Sequence, residues 1–497
     1  MLTEIPHWLA QRAAAAPGRQ ALLCAGASWT FGQLDGWATA TARRLAALGA
    51  RPGDRVALLM GNSPEFVALL HAAPRLGIAL APLNTRLAAP ELAWQLADAG
   101  ARLLIYDDAN AALAIDARAG LAAGFQAASV AELMAQRQAD TELLSTIDLD
   151  AVFTIIYTSG TTGRPKGAML TYGNYWWSAV GSALNLGTHA DDRWLAMLPL
   201  FHVGGLSIVV RAAIYGIPLV LLRAFDPAEA NRAIDEDGIT IVSVVSTMVR
   251  RMLDARGAAA YPAALRCLLL GGGPAPRPLL EACAARGLPV AQTYGLTEAA
   301  SQVATLAPAD ALRKLGSAGQ PLLPTMLRIE RDGSPAASGA VGEIVVRGPT
   351  VMRGYMNRPE ATAEALRAGW LHTGDLGYLD EEGFLYVVSR RSDLIISGGE
   401  NVYPAEIEAT LLEHPAVAEA AVAGLPDADW GQAPAAAVVL HAGAAAAPAE
   451  LIAFCRARLA GYKTPRLVRV VAGLPRNAGG KVQRDQLREL LEPPATL

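Results

Sequence analysis

Directly behind a β-branched run, Val152 to Ile156, ten residues gather three glycines, four hydroxyls and one lysine: Thr158, Ser159, Gly160, Thr161, Thr162, Gly163, Arg164, Pro165, Lys166 and Gly167. The run reads as a strand, so the loop must sit on the rim of a sheet. Glycines let the backbone turn its N–H groups toward an anion, the hydroxyls add donors, and Lys166 adds a compact positive charge. Such a loop suits a polyphosphate. Of the 42 Lys and Arg residues only four are lysine, so Lys166 stands where arginine would be the default cation.

The P-loop of nucleotide hydrolases has the spacing G-x-x-x-x-G-K-[ST]. Counted from Gly160, its second glycine would fall on Pro165, and Lys166 is followed by Gly167 instead of a hydroxyl residue. A flexible Ser/Gly linker is the bland alternative. Linkers are not normally set between a strand and a segment as rich in Met, Leu, Tyr and Trp as Met169 to Trp177.

A chain of 497 residues with 52% hydrophobic content can fill about three ordinary domains, or one large one with a satellite. The net charge of −4, with no basic block or aromatic-interleaved basic stripe, argues against nucleic acid as the main partner. Cys24, Cys267, Cys283 and Cys455 are far apart, with no C-x-x-C pair, as structural thiols in a reducing cytoplasm would be. The first residues lack the order of a signal peptide, and no apolar run is long enough to span a bilayer, so no transmembrane segment is expected.

From Asp54 onward strands and helices alternate. A strand is expected over Arg55 to Met60, a helix over Glu65 to Arg75 stopped by Gly77, and further strands near Ala79 to Leu83, Arg102 to Tyr106, Leu219 to Leu222, Thr240 to Ser246 and Cys267 to Leu270. The fold class is therefore α/β, with mainly parallel sheets covered by helices. Two expected strands, Leu268 to Leu270 and Pro289 to Gly295, both end in glycine- or hydroxyl-rich turns, and ligands in parallel sheets sit at such carboxyl ends. After Gly383 the texture changes. The boundary is set at 390, giving a large domain over 1–390 and a small, mobile α+β domain over 391–497.

Seven motifs then fall in order: TSGTTGRPKG at 158–167, LPLFHVGG at 198–205, GGGPAP at 271–276, QTYGLTEA at 292–299, WLHTGDLG at 370–377, RRSDLIISGGENVYPAEIE at 390–408 and PRNAGGK at 475–481. Together they resemble the adenylate-forming acyl-CoA synthetases over nearly the whole chain. The resemblance implies that family's fold and a two-step joining of a carboxylate to AMP and then to CoA, with ATP and Mg²⁺. Attack of a carboxylate on phosphorus needs charge neutralisation and alignment more than a protein nucleophile. No Ser-His-Asp constellation is apparent in the sequence.

By the same resemblance, Thr158 to Lys166 would wrap the outer phosphates, Thr297 would contact the α-phosphate and Glu298 would hold Mg²⁺. Tyr294 would stack on adenine against Gly272, Gly273 and Pro274, with Gln292, Thr293 and Gly295 completing the nucleotide wall. Asp375 and Arg390 would take the ribose, and Lys481 would bridge the substrate carboxylate and the α-phosphate. His202 and Gly295 would line the acyl pocket, Ser392 would be the hinge, and Gly398 and Gly399 would line the CoA channel. Many members carry Asp or Lys at that hinge, so serine leaves open how the two domain orientations are balanced.

Each position also has a plainer reading: a helix-start acid for Glu298, a core aromatic for Tyr294, a turn aspartate for Asp375, a core histidine for His202 and a solvated lysine for Lys481. Lys314 and Lys463 carry no assignment.

The stretches PHWLAQRA, LLLGGGPAPRPLLE, KLGSAGQPL and GPTVMRGY are similar to the 2-succinylbenzoate CoA ligase branch of menaquinone biosynthesis. That likeness implies a small aromatic dicarboxylic acid as substrate, with Ser301 and Gln302 as polar partners for its second carboxylate. A medium-chain fatty or aryl acyl-CoA synthetase, a stand-alone adenylation protein and an inactive binding paralogue are the alternatives. Assembly as a homodimer or homotetramer stays open.

Overall fold

The structure is a computed structural model and describes residues 4–492, apart from 120, 122–123, 159–164, 274, 391–392, 394, 398–399, 428–429, 460 and 478–479; for 389, 390, 396, 400 and 401 it describes the backbone alone. A seven-stranded sheet carries the sequence's opening feature. Ala79–Pro82, Arg55–Leu59, Leu103–Tyr106 and Gln126–Ser129 run parallel, and Val152–Thr158 joins them beside Ala79–Pro82. The Pro64–Leu76 helix between the first two is marked at both ends. Ser63 accepts from the Phe66 N–H, Pro64 opens the first turn, and Gly77 closes it at φ 66°.

A second sheet, of 15 strands, is parallel in one half and antiparallel in the other. Leu219–Leu221, Trp194–Ala196, Ile241–Val245, Cys267–Gly271 and Val290–Leu296 lie parallel, as the alternating pattern predicts. From Ser301 the sheet turns antiparallel, through Ser301–Leu306, Ser317–Pro321, Leu385–Arg390, Trp370–Leu379, Gly342–Arg347 and Met326–Arg331. The switch has a simple cause. Between Leu296 and Ser301 there is only the short turn Thr297–Ala299, too little chain for a parallel crossover.

A five-stranded sheet is built from residues after 394: Ile395–Ser397, Glu400–Val402, Val417–Asp427, Gly431–Leu440 and Leu467–Val470. The two longest strands continue through the Ala/Gly/Pro-rich residues near 423–434, which pair from Ala423↔Ala435 to Asp427↔Gly431. One face packs Ile407, Leu411, Leu451 and Cys455, and the other packs Leu487 and Leu491 of a closing helix, Arg484–Leu491. That helix is not foreseen; Leu487 and Leu491 are its only buried residues.

All four cysteines are free and buried. Burial pushes the Cys267 and Cys283 thiols up to about 12 and Cys455 to about 11, so all three stay protonated near neutrality. Among the described residues no helix is long and apolar enough to cross a membrane.

Candidate active site

Cys267–Gly271 and Val290–Leu296 pair in parallel from Leu268↔Val290 to Leu270↔Gln292, so their carboxyl ends open side by side. Beyond the first, Gly272 sits at φ 84°, and a Cβ there would lie 3.1 Å from Val245 Cγ1; Pro274 lies outside the described residues. Beyond the second come the Thr297–Ala299 turn and two successive non-glycine residues at positive φ, Ala300 at 52° and Ser301 at 94°. Left-handed backbone at two such residues is strained, and strain of this kind persists only where neighbours hold it.

Gly295 makes the tight return geometrically feasible. A Cβ on it would lie 1.8 Å from the Ser301 carbonyl oxygen, across the irregularity between Tyr294 and Gly295 in the strand pair. Gly295→Ala must therefore push backbone against backbone and shift the Thr297–Glu298 turn. For the joining of a carboxylate to AMP that the resemblance implies, the expected result is about a hundredfold loss of turnover, read as pyrophosphate release.

The turn lies beside the two strands that flank residues 159–164. Val152–Thr158 and Lys166–Thr171 are antiparallel, with Thr158 opposite Lys166. Ser159, Gly160, Thr161, Thr162 and Gly163 lie outside the described set. Glu298 Oε1 accepts from the Tyr355 hydroxyl at 2.9 Å and makes a long contact with Thr158 Oγ1 at 3.4 Å. Lys166 Nζ stands 5.3 Å from the centroid of the Tyr355 ring. Backbone bonds tie this group together: Met352 N–H to Glu298 O, Arg353 N–H to Met169 O and Met356 N–H to Gly167 O.

Hard oxygen ligands from Glu298 and Thr158 suit Mg²⁺, which is commonly held by one or two carboxylates plus substrate phosphates. Among the described residues no group of three or more His, Cys, Asp or Glu gathers that could hold a metal ion.

The Tyr294 hydroxyl donates to Asp375 Oδ2 at 2.7 Å, and Asp375 is 7% exposed. The plain reading of Asp375 as a surface turn residue is thereby excluded. It lies within Trp370–Leu379, paired in register with Arg390, whose side chain is outside the described set. The Thr293 hydroxyl donates its proton to Ala304 O and accepts from Thr305 Oγ1, so it is engaged within the sheet. Gln302 is buried, with Nε2 on Thr305 Oγ1, while the Gln292 Nε2 is buried without a partner. Ser301 is half-buried.

His202 precedes the Val203–Tyr215 helix at its N-cap position without a side-chain capping bond, its ring 4.7 Å from that of Phe201. Burial, helped by the charge of Arg86, pushes its pKa down to about 4, so the ring is neutral near pH 7. The same helix carries a residue the sequence reading passed over. Arg211 is its only charged side chain, 2% exposed, donating from Nη2 to Ser178 Oγ at 3.0 Å with its Nε unpartnered. Burial pulls its pKa down, and among the described residues no carboxylate pairs with it. A lone arginine in an otherwise apolar helix was the available signal, because buried guanidinium groups need an anion. Ser178 Oγ in turn donates to Ala300 O at 2.7 Å, which sets Arg211 behind the strained turn.

Lys481 is exposed on a turn of the small sheet's unit, its N–H donating to Asn477 Oδ1 and its carbonyl accepting from the Asn477 N–H. Ser392, Gly398 and Gly399 lie outside the described residues. The two unassigned lysines form ion pairs: Lys314 with Asp380 and Glu382, and Lys463 with Glu406. The structure thus gathers Thr158, Lys166 and Glu298 around Tyr355, and joins Tyr294 to Asp375. It leaves Lys481 on a separate unit.

The chain is similar to known proteins along nearly its whole length. A 2-succinylbenzoate–CoA ligase of Geobacillus kaustophilus (strain HTA426) is 54% identical over 490 residues, 99% of each chain. The o-succinylbenzoate CoA synthetase of Bacillus subtilis, solved in complex with the acyl-adenylate intermediate OSB-AMP, is 46% identical and overlays with a TM-score of 0.93, covering 98% of this chain and 99% of that one. Its complex with ATP and magnesium ion overlays at 0.92, covering 98% and 100%. The profile of the AMP-binding enzyme matches residues 9–356 and that of the AMP-binding enzyme C-terminal domain matches 406–481; the chain belongs to the AMP-binding enzyme family.

Proposed function

We propose that the chain is an ATP-dependent 2-succinylbenzoate–CoA ligase of menaquinone biosynthesis, acting in the cytoplasm. The observation that carries this reading is full-length likeness, at 54% identity, to a ligase of that name. In the first step a substrate carboxylate oxygen bonds to the α-phosphorus of ATP and pyrophosphate leaves. In the second the CoA sulfur bonds to the acyl carbon, AMP leaves, and the thiol proton passes to solvent.

Each group has a part suited to its chemistry. Lys166 and the 158–163 loop neutralise the departing pyrophosphate, and Thr297 donates to the α-phosphate. Glu298 and Thr158 would hold Mg²⁺, which would supply further neutralisation when bound. Tyr294 lies against adenine with its hydroxyl fixed by Asp375, while Asp375 and Arg390 take the ribose. Lys481 enters from the small domain, whose boundary we place at 390/391 with Ser392 as pivot, and Gly398 and Gly399 admit the pantetheine arm.

Arg211 supports the dicarboxylate. Sequence reasoning assigned the second carboxylate to Ser301 and Gln302, but Gln302 is enclosed in the strand pair with Nε2 engaged. A buried, unpaired guanidinium beside Ala300 is a far stronger anion partner, with Ser301 as an added donor. His202, neutral and next to Phe201, offers an apolar wall for the aromatic ring. A fatty acyl-CoA synthetase has no use for such a cation.

The test is pyrophosphate release with a panel of acids, followed by mass detection of the CoA product. The expected preference is for 2-succinylbenzoate over benzoate and octanoate by about a hundredfold or more in kcat/KM. Equal rates on all three would overturn the substrate and leave the acid–thiol ligase standing.

A further inference from the structure

We propose that Ser178 is a positioning residue for adenylation, an inference that rests on the ligase reading above. The Tyr172–Leu186 helix begins where the Lys166–Thr171 strand ends, capped by Thr171, whose hydroxyl accepts from the Asn174 N–H. Two side chains one helical turn apart reach from this helix to the segments around Glu298. Asn174 Nδ2 donates to the carbonyls of Pro349 and Val351, each at 2.8 Å, next to Met352, whose N–H bonds Glu298 O. Ser178, 4% exposed, reaches Ala300.

The direction of the Ser178 bonds is fixed by its neighbour. A guanidinium can only donate, so Arg211 occupies the serine as acceptor, and the single hydroxyl proton must go to the Ala300 carbonyl. Ala300 is the first of the two strained residues and directly follows the Thr297–Ala299 turn. A donor clamped on its carbonyl opposes relaxation of that turn out of the left-handed region. Without the clamp, Thr297 and Glu298 lose their aim at the α-phosphate and the metal, and misplacement by about 1 Å costs about a hundredfold in rate. Ser178 touches neither substrate nor metal; it acts through Ala300.

The half-reactions separate this role from a merely structural one, because thioester formation from a supplied acyl-adenylate needs neither nucleotidyl transfer nor the metal. In Ser178→Ala, pyrophosphate release at saturating ATP and acid is expected to fall about a hundredfold. Thioester formation from the supplied adenylate should fall less than about threefold, and the Mg²⁺ concentration for half-maximal adenylation should rise. Ser182→Ala, removing another buried hydroxyl one turn further along the helix, should keep the wild-type ratio of the two rates.

Should Ser178→Ala fail to fold, Ser178→Cys, similar in size with a weak donor, gives the same comparison. Equal loss of both half-reactions in the Ser178 variant, or the same split in Ser182→Ala, overturns the inference alone. Wild-type protein that releases no pyrophosphate with any acid overturns the ligase reading and this inference with it.

Discussion

Lys481→Ala is expected to lower pyrophosphate release by about a thousandfold while sparing CoA thioester formation from supplied acyl-adenylate. The asymmetry follows from charge. In adenylation one anion, the carboxylate, must approach another, the α-phosphate, and a cation between them stabilises the transition state more than the separated reactants. A unit charge at about 4 Å in a partly wet site contributes about 4 kcal/mol, roughly three decades of rate. In thioester formation the nucleophile attacks carbon and AMP departs, so no second anion closes on the phosphorus.

The turn that presents Lys481 is well anchored without its ammonium. Asn477 bonds the residue's backbone from both sides, and neighbouring Arg476 pairs with Glu419. Alanine should therefore leave the small domain folded. Continuous pyrophosphate detection and mass analysis of the thioester read the two steps separately, and an equal fall in both would remove Lys481 from the first.

The sequence displays some of this architecture openly and hides the rest for physical reasons. The strand before the hydroxyl-rich loop is legible because β-branched residues stop abruptly at glycines, and the Pro64–Leu76 helix because Ser63 and Gly77 mark both ends. The left-handed turn at Ala300 and Ser301, after which the large sheet runs antiparallel, is hidden, because nothing local in those two residues announces a positive φ. Site contacts are harder still. Tyr294 meets Asp375 across 81 residues through cross-sheet register, and Tyr355 meets Glu298 across 57. GPTVMRGY stands out as a stretch, yet only the folded strand pair beside it shows that its tyrosine holds the acid at 298. Resemblance could assign Glu298, Asp375 and Lys166, which lie in motifs; Arg211 lies in none.

Arg211 accordingly bears the sharpest test of substrate choice, Arg211→Met, in which activity and stability should move differently. Removing one partner from a buried charge pair costs about 2–5 kcal/mol, so kcat/KM for 2-succinylbenzoate should fall between about thirtyfold and several thousandfold. The analogue lacking the ring carboxylate, 4-oxo-4-phenylbutanoate, never made that pair and should be used as well or better by the variant. The free protein holds the guanidinium buried with Nε unpartnered and no carboxylate pairing among the described residues, so an apolar side chain of similar length relieves a desolvation cost. Thermal unfolding should therefore show Tm unchanged or raised, in the same preparation that has lost its preferred acid. If Arg211 merely braces Ser178 and Trp194, the outcome reverses: Tm falls and both acids lose rate together. A cation kept inside an apolar helix at a cost to the empty enzyme is best explained by the anion that arrives with the substrate, and only that explanation predicts a variant both no less stable and blind to the second carboxylate.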